Sequence, residues 1–180
     1  MTAGADAGGR GQGHVVLIGL MGSGKSTVGA RVAALLDRRF IDVDVVIVER
    51  TGLTVRQLWE RGGEATYRPL ERDIVVHTLS EDGPDVLAAP AGAVLEPLVQ
   101  KALQAADALT VWLRADAETL ASRVAVSDHR PLLGPNPGQA LQAMADDRSE
   151  LYARLADVVL DVEASSADEL AEQVVAAARS

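Results

Sequence analysis

Gly19-Leu20-Met21-Gly22-Ser23-Gly24-Lys25-Ser26 is a glycine, four variable residues and then Gly-Lys-Ser, the pattern of a phosphate-binding P-loop. The apolar run Val15 to Ile18 precedes it, and the small and apolar residues of Thr27 to Leu36 follow. Strand, glycine loop and helix therefore come in the order the motif needs. Polyphosphate must be bound by backbone N–H groups pointing inward, and glycines remove the side chains that would block its approach. The first helical turn adds unpaired N–H groups and the positive end of the helix dipole. Lys25 places a mobile charge near the β- and γ-phosphates, and the Ser26 hydroxyl can ligate Mg²⁺. The alternative, a glycine-rich turn between strand and helix, leaves the agreement of strand, loop, Lys-Ser and helix unaccounted for.

Five short apolar runs begin at Val15, Phe40, Val86, Thr110 and Val158 and alternate with helical stretches. This predicts an α/β fold, a five-stranded parallel sheet covered by helices on both faces. The ligand cleft should lie at the carboxyl ends of the strands. Arg39 to Asp44 reads as a strand ending in two acids at alternate positions, so that Asp42 and Asp44 both face one cleft. In the other reading Asp44 caps a helix from Val45 to Arg50. Thr54 to Gln57 has the form of a capping box, and Gly62-Gly63 breaks the helix that it opens. Helical spacing resumes at Glu64 and places Tyr67, Leu70, Ile74, Val75 and Leu79 on one stripe. Taken alone, Arg68 reads as a solvated helix charge.

Further along, Pro97 suits the first turn of a helix to Ala106, and Asp116 caps a helix from Ala117 to Val124 that contains Arg123. Ser127 to Gly138 holds Pro131, Gly134, Pro135, Pro137 and Gly138, a density that marks a loop. It carries Arg130 and is either a lid or binding loop or an ordinary connector. The helix Gln139 to Ala156 has Leu141, Met144, Leu151 and Leu155 as its apolar series. Arg148 lies there among Asp146, Asp147 and Glu150, where simple surface ion pairs would contribute little. Val158 to Val162 makes the fifth strand, and Ser166 to Glu169 is a second capping box.

A chain of 180 residues is most simply one domain, large enough to bury about 70% of its unfolded surface. Met1 to Gly13, rich in Gly and Ala, reads as a disordered extension ahead of a single domain over residues 14–180. The net charge of −9, with basic residues scattered, lacks the footprint of a general nucleic-acid binder. The absence of cysteine excludes disulfides and thiolate metal sites and fits a cytoplasmic location. No segment approaches the roughly 18 to 20 apolar residues of a membrane span, and the N-terminus lacks the basic start and apolar core of a signal peptide. Two Trp, two Tyr and one Phe leave the core to aliphatic side chains.

Taken together these segments resemble the shikimate kinases, small P-loop kinases that phosphorylate the 3-hydroxyl of shikimate with MgATP in aromatic amino acid biosynthesis. The likeness runs from His14 onward. It is carried by Gly19 to Ser26, Phe40-Ile41-Asp42-Val43-Asp44, Thr51-Gly52 through Leu58-Trp59-Glu60, Gly62-Gly63-Glu64 with Tyr67-Arg68, Arg130-Pro131-Leu132-Leu133, and Arg148 with Leu151-Tyr152.

The resemblance implies a role for each matching position. Gly22, Ser23, Gly24, Lys25, Ser26 and Thr27 would bind ATP, with Lys25 on the transferring phosphoryl group and Arg123 against the adenine. Ser26 and Asp42 would hold Mg²⁺, the latter through water. Asp44 would bind the substrate hydroxyls and help take the proton of the attacking one. Arg68 and Arg148 would grip the substrate carboxylate, to which paired guanidinium groups are suited, and Gly92 would approach the substrate. Arg130 would swing in with a lid over residues 125–138 to stabilise charge on the phosphoryl group. The substrate region would span residues 44–80. A monomer that binds a small molecule, and neither nucleic acid nor membrane, is expected.

Two departures stand out. The family carries three consecutive glycines after the third strand, where this chain has Pro90-Ala91-Gly92; proline lacks an N–H, and Ala91 adds a methyl where backbone was to approach. The family often has an arginine near the adenine, whereas Glu163-Ala164-Ser165-Ser166 has none. Two other functions therefore fit the same residues: phosphorylation of a different small, carboxylated polyol or cyclitol, and a non-catalytic nucleotide- or metabolite-binding role.

Overall fold

The computed structural model describes residues 13–124, 133–134 and 136–180. The first twelve residues of the expected N-terminal extension, and residues 125–132 and 135 of the expected lid with Arg130, lie outside the described residues. Five strands, β1 (His14–Ile18), β2 (Phe40–Asp42), β3 (Val86–Ala88), β4 (Ala108–Arg114) and β5 (Val158–Asp161), form one parallel sheet. Their order is β2-β3-β1-β4-β5. The strand that feeds the P-loop is thus central, paired with β3 on one side and β4 on the other. The helices are α1 (Lys25–Leu36), α2 (Val43–Thr51), α3 (Val55–Ser80), α4 (Pro97–Ala105), α5 (Ala117–Val124), α6 (Pro137–Leu155) and α7 (Ala167–Ala178).

β1 shows why its apolar run is unbroken. Val16 and Ile18 join the core on one face of the sheet, with Ile74, Val75 and Tyr152 from α3 and α6. Val15 and Leu17 join the other, with Val28 and Val32 of α1 and Leu170 and Val174 of α7. Alternate side chains point to opposite faces, so a strand covered on both needs an apolar residue at every position. Each fully buried aliphatic chain contributes about 1.5–3 kcal/mol, and the four from Val15 to Ile18 are all buried. Among the described residues no helix is long and apolar enough to cross a membrane.

Two local expectations are corrected. The strand expected through Asp44 ends at Asp42, because the Asp42 side chain accepts a hydrogen bond from the Asp44 backbone N–H and starts α2 there. Asp42 is the cap, and Asp44 belongs to the first helical turn, not to an extended segment. The break expected at Gly62-Gly63 is confined to Gly63, at φ 59 and ψ −152, across which two helical stretches run on as α3. That combination is open essentially to glycine alone. Pro69, in the second stretch, removes a helical donor as well. The capping boxes at Thr54/Gln57 and Ser166/Glu169 are both present.

Candidate active site

The carboxyl ends of β1, β2 and β3 open into a cleft of about 450 Å³ lined by Gly22 to Val28, Asp42, Asp44, Ala88 to Ala91 and Arg123. Its donor wall is backbone. Gly24, at φ 93, turns the chain into α1 without a side-chain cap, and the first turn of that helix holds no acidic residue. The first-turn N–H groups are therefore presented to an anion. Lys25 Nζ donates to the carbonyls of Gly19 at 2.8 Å and Leu20 at 3.0 Å, which holds the ammonium across the loop. Ser26 Oγ donates to Asp42 Oδ2 at 2.5 Å, so two oxygens of hard-cation type lie side by side. Arg123 reaches the rim, its guanidinium 3.4 Å from the Gly22 carbonyl.

The acceptor wall is made of side chains. Asp44 accepts a hydrogen bond from the Tyr67 hydroxyl. Arg68, on the same turn of α3 as Tyr67, donates to Glu71 at 2.6 Å and to Glu64 at 2.8 and 3.0 Å. Its side chain is only 15% exposed, so the expected solvated charge is instead a half-buried one. Burial works against that charge, but Glu71 and Glu64 outweigh it and hold the guanidinium above its ordinary range. Glu71 is itself 1% exposed. Desolvation pushes its carboxyl up to about 7, against the pull of Arg68 and of the Tyr67 hydroxyl.

A third element closes this wall. Arg148 and Tyr152 of α6 both donate to the carbonyl of Ala91, at 3.4 and 2.7 Å. Arg148 is 11% exposed and 4.0 Å from Asp147, and its Nε is buried without a hydrogen-bond partner among the described residues. Of the ion pairs considered from sequence, the one to the exposed Asp147 is present at the limit of contact, but Arg148 itself is sheltered rather than on the surface. Tyr152 is pushed up to about 12 by burial and so remains a neutral donor. Gly92 lies beneath Arg68, where an added Cβ would stand 1.8 Å from the guanidinium. Its φ of −94 is ordinary, so a side chain here would meet the Arg68 guanidinium and displace it rather than strain the backbone. Among the described non-glycine residues only Asp37 has positive φ, so neither Pro90 nor Ala91 is strained in this loop.

The structure thus places Asp42, Asp44, Lys25, Ser26 and Arg123 on one cleft, with Arg68, Gly92 and Arg148 gathered at its Ala91 end. Two participants escape a reading of the sequence, Glu71 and the Tyr67 hydroxyl. Glu71 falls on the helical face of Tyr67, Ile74, Val75 and Thr78, all buried. A carboxylate on that face, three residues after Arg68, is the signal that could have found it.

A family model described as shikimate kinase matches residues 21–179. The chain belongs to the shikimate kinase family. The shikimate kinase of Paramagnetospirillum magneticum is 39% identical over 163 residues, 89% of this chain and 80% of its own. That of Brucella canis is 40% identical over 140 residues, 77% of this chain and 69% of its own. The structure of shikimate kinase from Acinetobacter baumannii in complex with shikimate superposes with a TM-score of 0.86 at 31% identity and covers 91% of each chain. The protein is accordingly a small-molecule kinase with the family's P-loop fold.

Shikimate kinases use ATP with Mg²⁺, and the donor wall fits both. An uncapped helix start behind glycines suits a polyphosphate. Among the described residues no group of three or more His, Cys, Asp or Glu could hold a metal by itself. The two oxygens of Ser26 and Asp42 suit Mg²⁺ instead, which takes few protein ligands and completes its shell with phosphate and water.

Proposed function

We propose that this protein transfers the γ-phosphoryl group of ATP to the 3-hydroxyl of shikimate. The observation that carries the proposal is the acceptor wall: a carboxylate, Asp44, faces the P-loop cleft, and two sheltered arginines converge beside it at Ala91 and Gly92. Shikimate offers the complement, hydroxyls at one end and a planar carboxylate at the other.

In this reading the first-turn N–H groups of α1 and Lys25 receive the triphosphate. Lys25 exchanges its carbonyl partners for the phosphoryl oxygens on which negative charge gathers. Ser26 and Asp42 hold Mg²⁺, which when bound neutralises phosphate charge. Arg68 and Arg148 bind the carboxylate, and the buried Nε of Arg148, which makes no hydrogen bond among the described residues, has donor capacity to spare there. Asp44 orients the 3-hydroxyl and accepts its proton as the new O–P bond forms and the bond to ADP breaks. Arg123 packs against the adenine, and Arg130 supplies a further positive charge to the transferred group. A single domain over residues 14–180, acting as a cytoplasmic monomer on a small molecule, completes the proposal. The net charge of −9 disfavours nucleic acid as a partner.

Pro90-Ala91 does not redirect the reaction in this reading. Ala91 is buried in the core, and its carbonyl anchors Tyr152 and Arg148, so the loop serves the carboxylate pocket as it stands. An ADP-release assay with MgATP and a panel of hydroxy acids and cyclitols tests this. Turnover that saturates with shikimate and is far weaker with the others is expected. Efficient turnover of a different acceptor, or none of any, would overturn the assignment.

A further inference from the structure

Tyr67 occupies a position where packing asks only for a ring. It is 3% exposed, meets Trp59 edge-on at 6.2 Å, and shares the apolar stripe of Ile74, Val75 and Leu79. A phenylalanine would fill that space without burying a hydroxyl, which costs stability unless it finds a partner. The hydroxyl does find one: it donates to Asp44 Oδ1, across 23 residues of chain and from another helix.

Asp44 has reason to need it. The terminal torsion of an aspartate is broad, so position on the helix does not fix where the carboxylate plane points. A carboxylate that must meet an acceptor hydroxyl and then its proton works only within a narrow range of orientations. The Tyr67 ring is held by its packing, and a hydrogen bond from it carries that rigidity to the carboxylate.

We propose that Tyr67 is a positioning residue, its hydroxyl setting the orientation in which the Asp44 carboxylate meets the acceptor hydroxyl. The inference rests on the role given to Asp44 above.

The test is Tyr67→Phe in the full chain, with initial rates measured over both MgATP and shikimate and with a melting curve. A hydrogen bond to a charged group at a reacting centre corresponds to about a tenfold to hundredfold effect. We expect kcat with shikimate to fall by that factor, with the KM for ATP within about twofold of wild type and the melting temperature shifted by a few degrees at most. Trp59→Phe disturbs the same ring packing while keeping the Tyr67 hydroxyl, and should leave kcat within about threefold.

A Tyr67→Phe enzyme whose kcat stays within twofold overturns the inference, provided that the wild-type protein turns over shikimate. So does a loss in which kcat, the KM for ATP and the melting temperature all change together, since the hydroxyl would then be holding the fold. Absence of shikimate-dependent turnover in the wild type is a different result: the role of Asp44 itself fails, and the inference with it.

Discussion

The two walls of the cleft are built in opposite ways. The donor wall comes mostly from one continuous stretch, Gly19 to Thr27, with Asp42 and Arg123 added at its edge: the uncapped N–H groups at the start of α1 and the side chains of Lys25 and Ser26 lie on that one turn. The acceptor wall is assembled from α2, α3, the Ala91–Gly92 loop and α6, and its work is done by charged side chains that are sheltered from water. Binding a triphosphate requires close approach and dipoles, which glycine and a helix end provide locally. Gripping a small carboxylated polyol requires guanidinium groups converging from several directions, and one of them, Arg68, is held in place here by the buried counter-charge of Glu71.

If that contrast is right, damage to the two walls should differ in kind. The largest effect is expected at Arg68→Ala, which leaves Glu71 buried beside Asp44 without its cation. Breaking a buried pair on one side costs about 3–5 kcal/mol. Chemical denaturation should show that loss, and it should be greater at pH 8 than at pH 5.5, because without Arg68 the Glu71 carboxyl is driven still higher. In the wild type the sign is the same. Glu71 rises from its ordinary 4.5 to about 7 in the folded state, so the native form holds a proton that the unfolded chain has released in that window. Its contribution to stability therefore falls as pH rises from about 4.5 to 7. Glu71→Gln should flatten that fall.

Lys25→Ala attacks the other wall and should leave the fold intact. We expect kcat to fall by about 10²–10³, the range for losing one pre-placed donor to developing charge. Shikimate affinity by calorimetry should stay within about twofold. A matching loss of shikimate affinity would mean that the two walls are not separable.

Gly63→Ala tests how far the acceptor wall depends on the bend in α3. An added Cβ meets nothing within 4 Å, so the cost is backbone strain alone, about 1–3 kcal/mol. The expected outcome is a lower melting temperature with a raised KM for shikimate and an unchanged KM for ATP. The smallest effect is expected at Arg123→Ala. That side chain is exposed, and stacking of an exposed cation on a ring contributes about 0.5–1 kcal/mol. Initial rates should show a KM for ATP raised roughly twofold to fivefold and nothing else.

The same contrast decides what could be read from the sequence. β1, the P-loop and α1 are legible because their residues are adjacent and each obeys a local rule. The alternation of apolar runs and helices likewise gives the parallel sheet, because a strand buried on both faces has no polar position to disguise it. The end of β2 is not legible, since an aspartate after apolar residues suits both a strand and a helix cap, and only the hydrogen bond from Asp44 N to Asp42 chooses between them. Arg148 reads as a surface charge among acids because its surroundings are set by Ala91, 57 residues away. The resemblance names Arg68 and Arg148, and spacing alone puts Glu71 on the buried face, but that the Tyr67 hydroxyl meets Asp44 on another helix needs the packing of α3 to be seen.

The most direct test of the whole reading is the identity of the product. Purified protein, MgATP and shikimate should give a phosphorus resonance coupled to the proton on C3 of shikimate, in amounts matching the ADP released. Phosphate found on another carbon, or free inorganic phosphate with unchanged shikimate, would contradict the pairing of these two walls in one reaction.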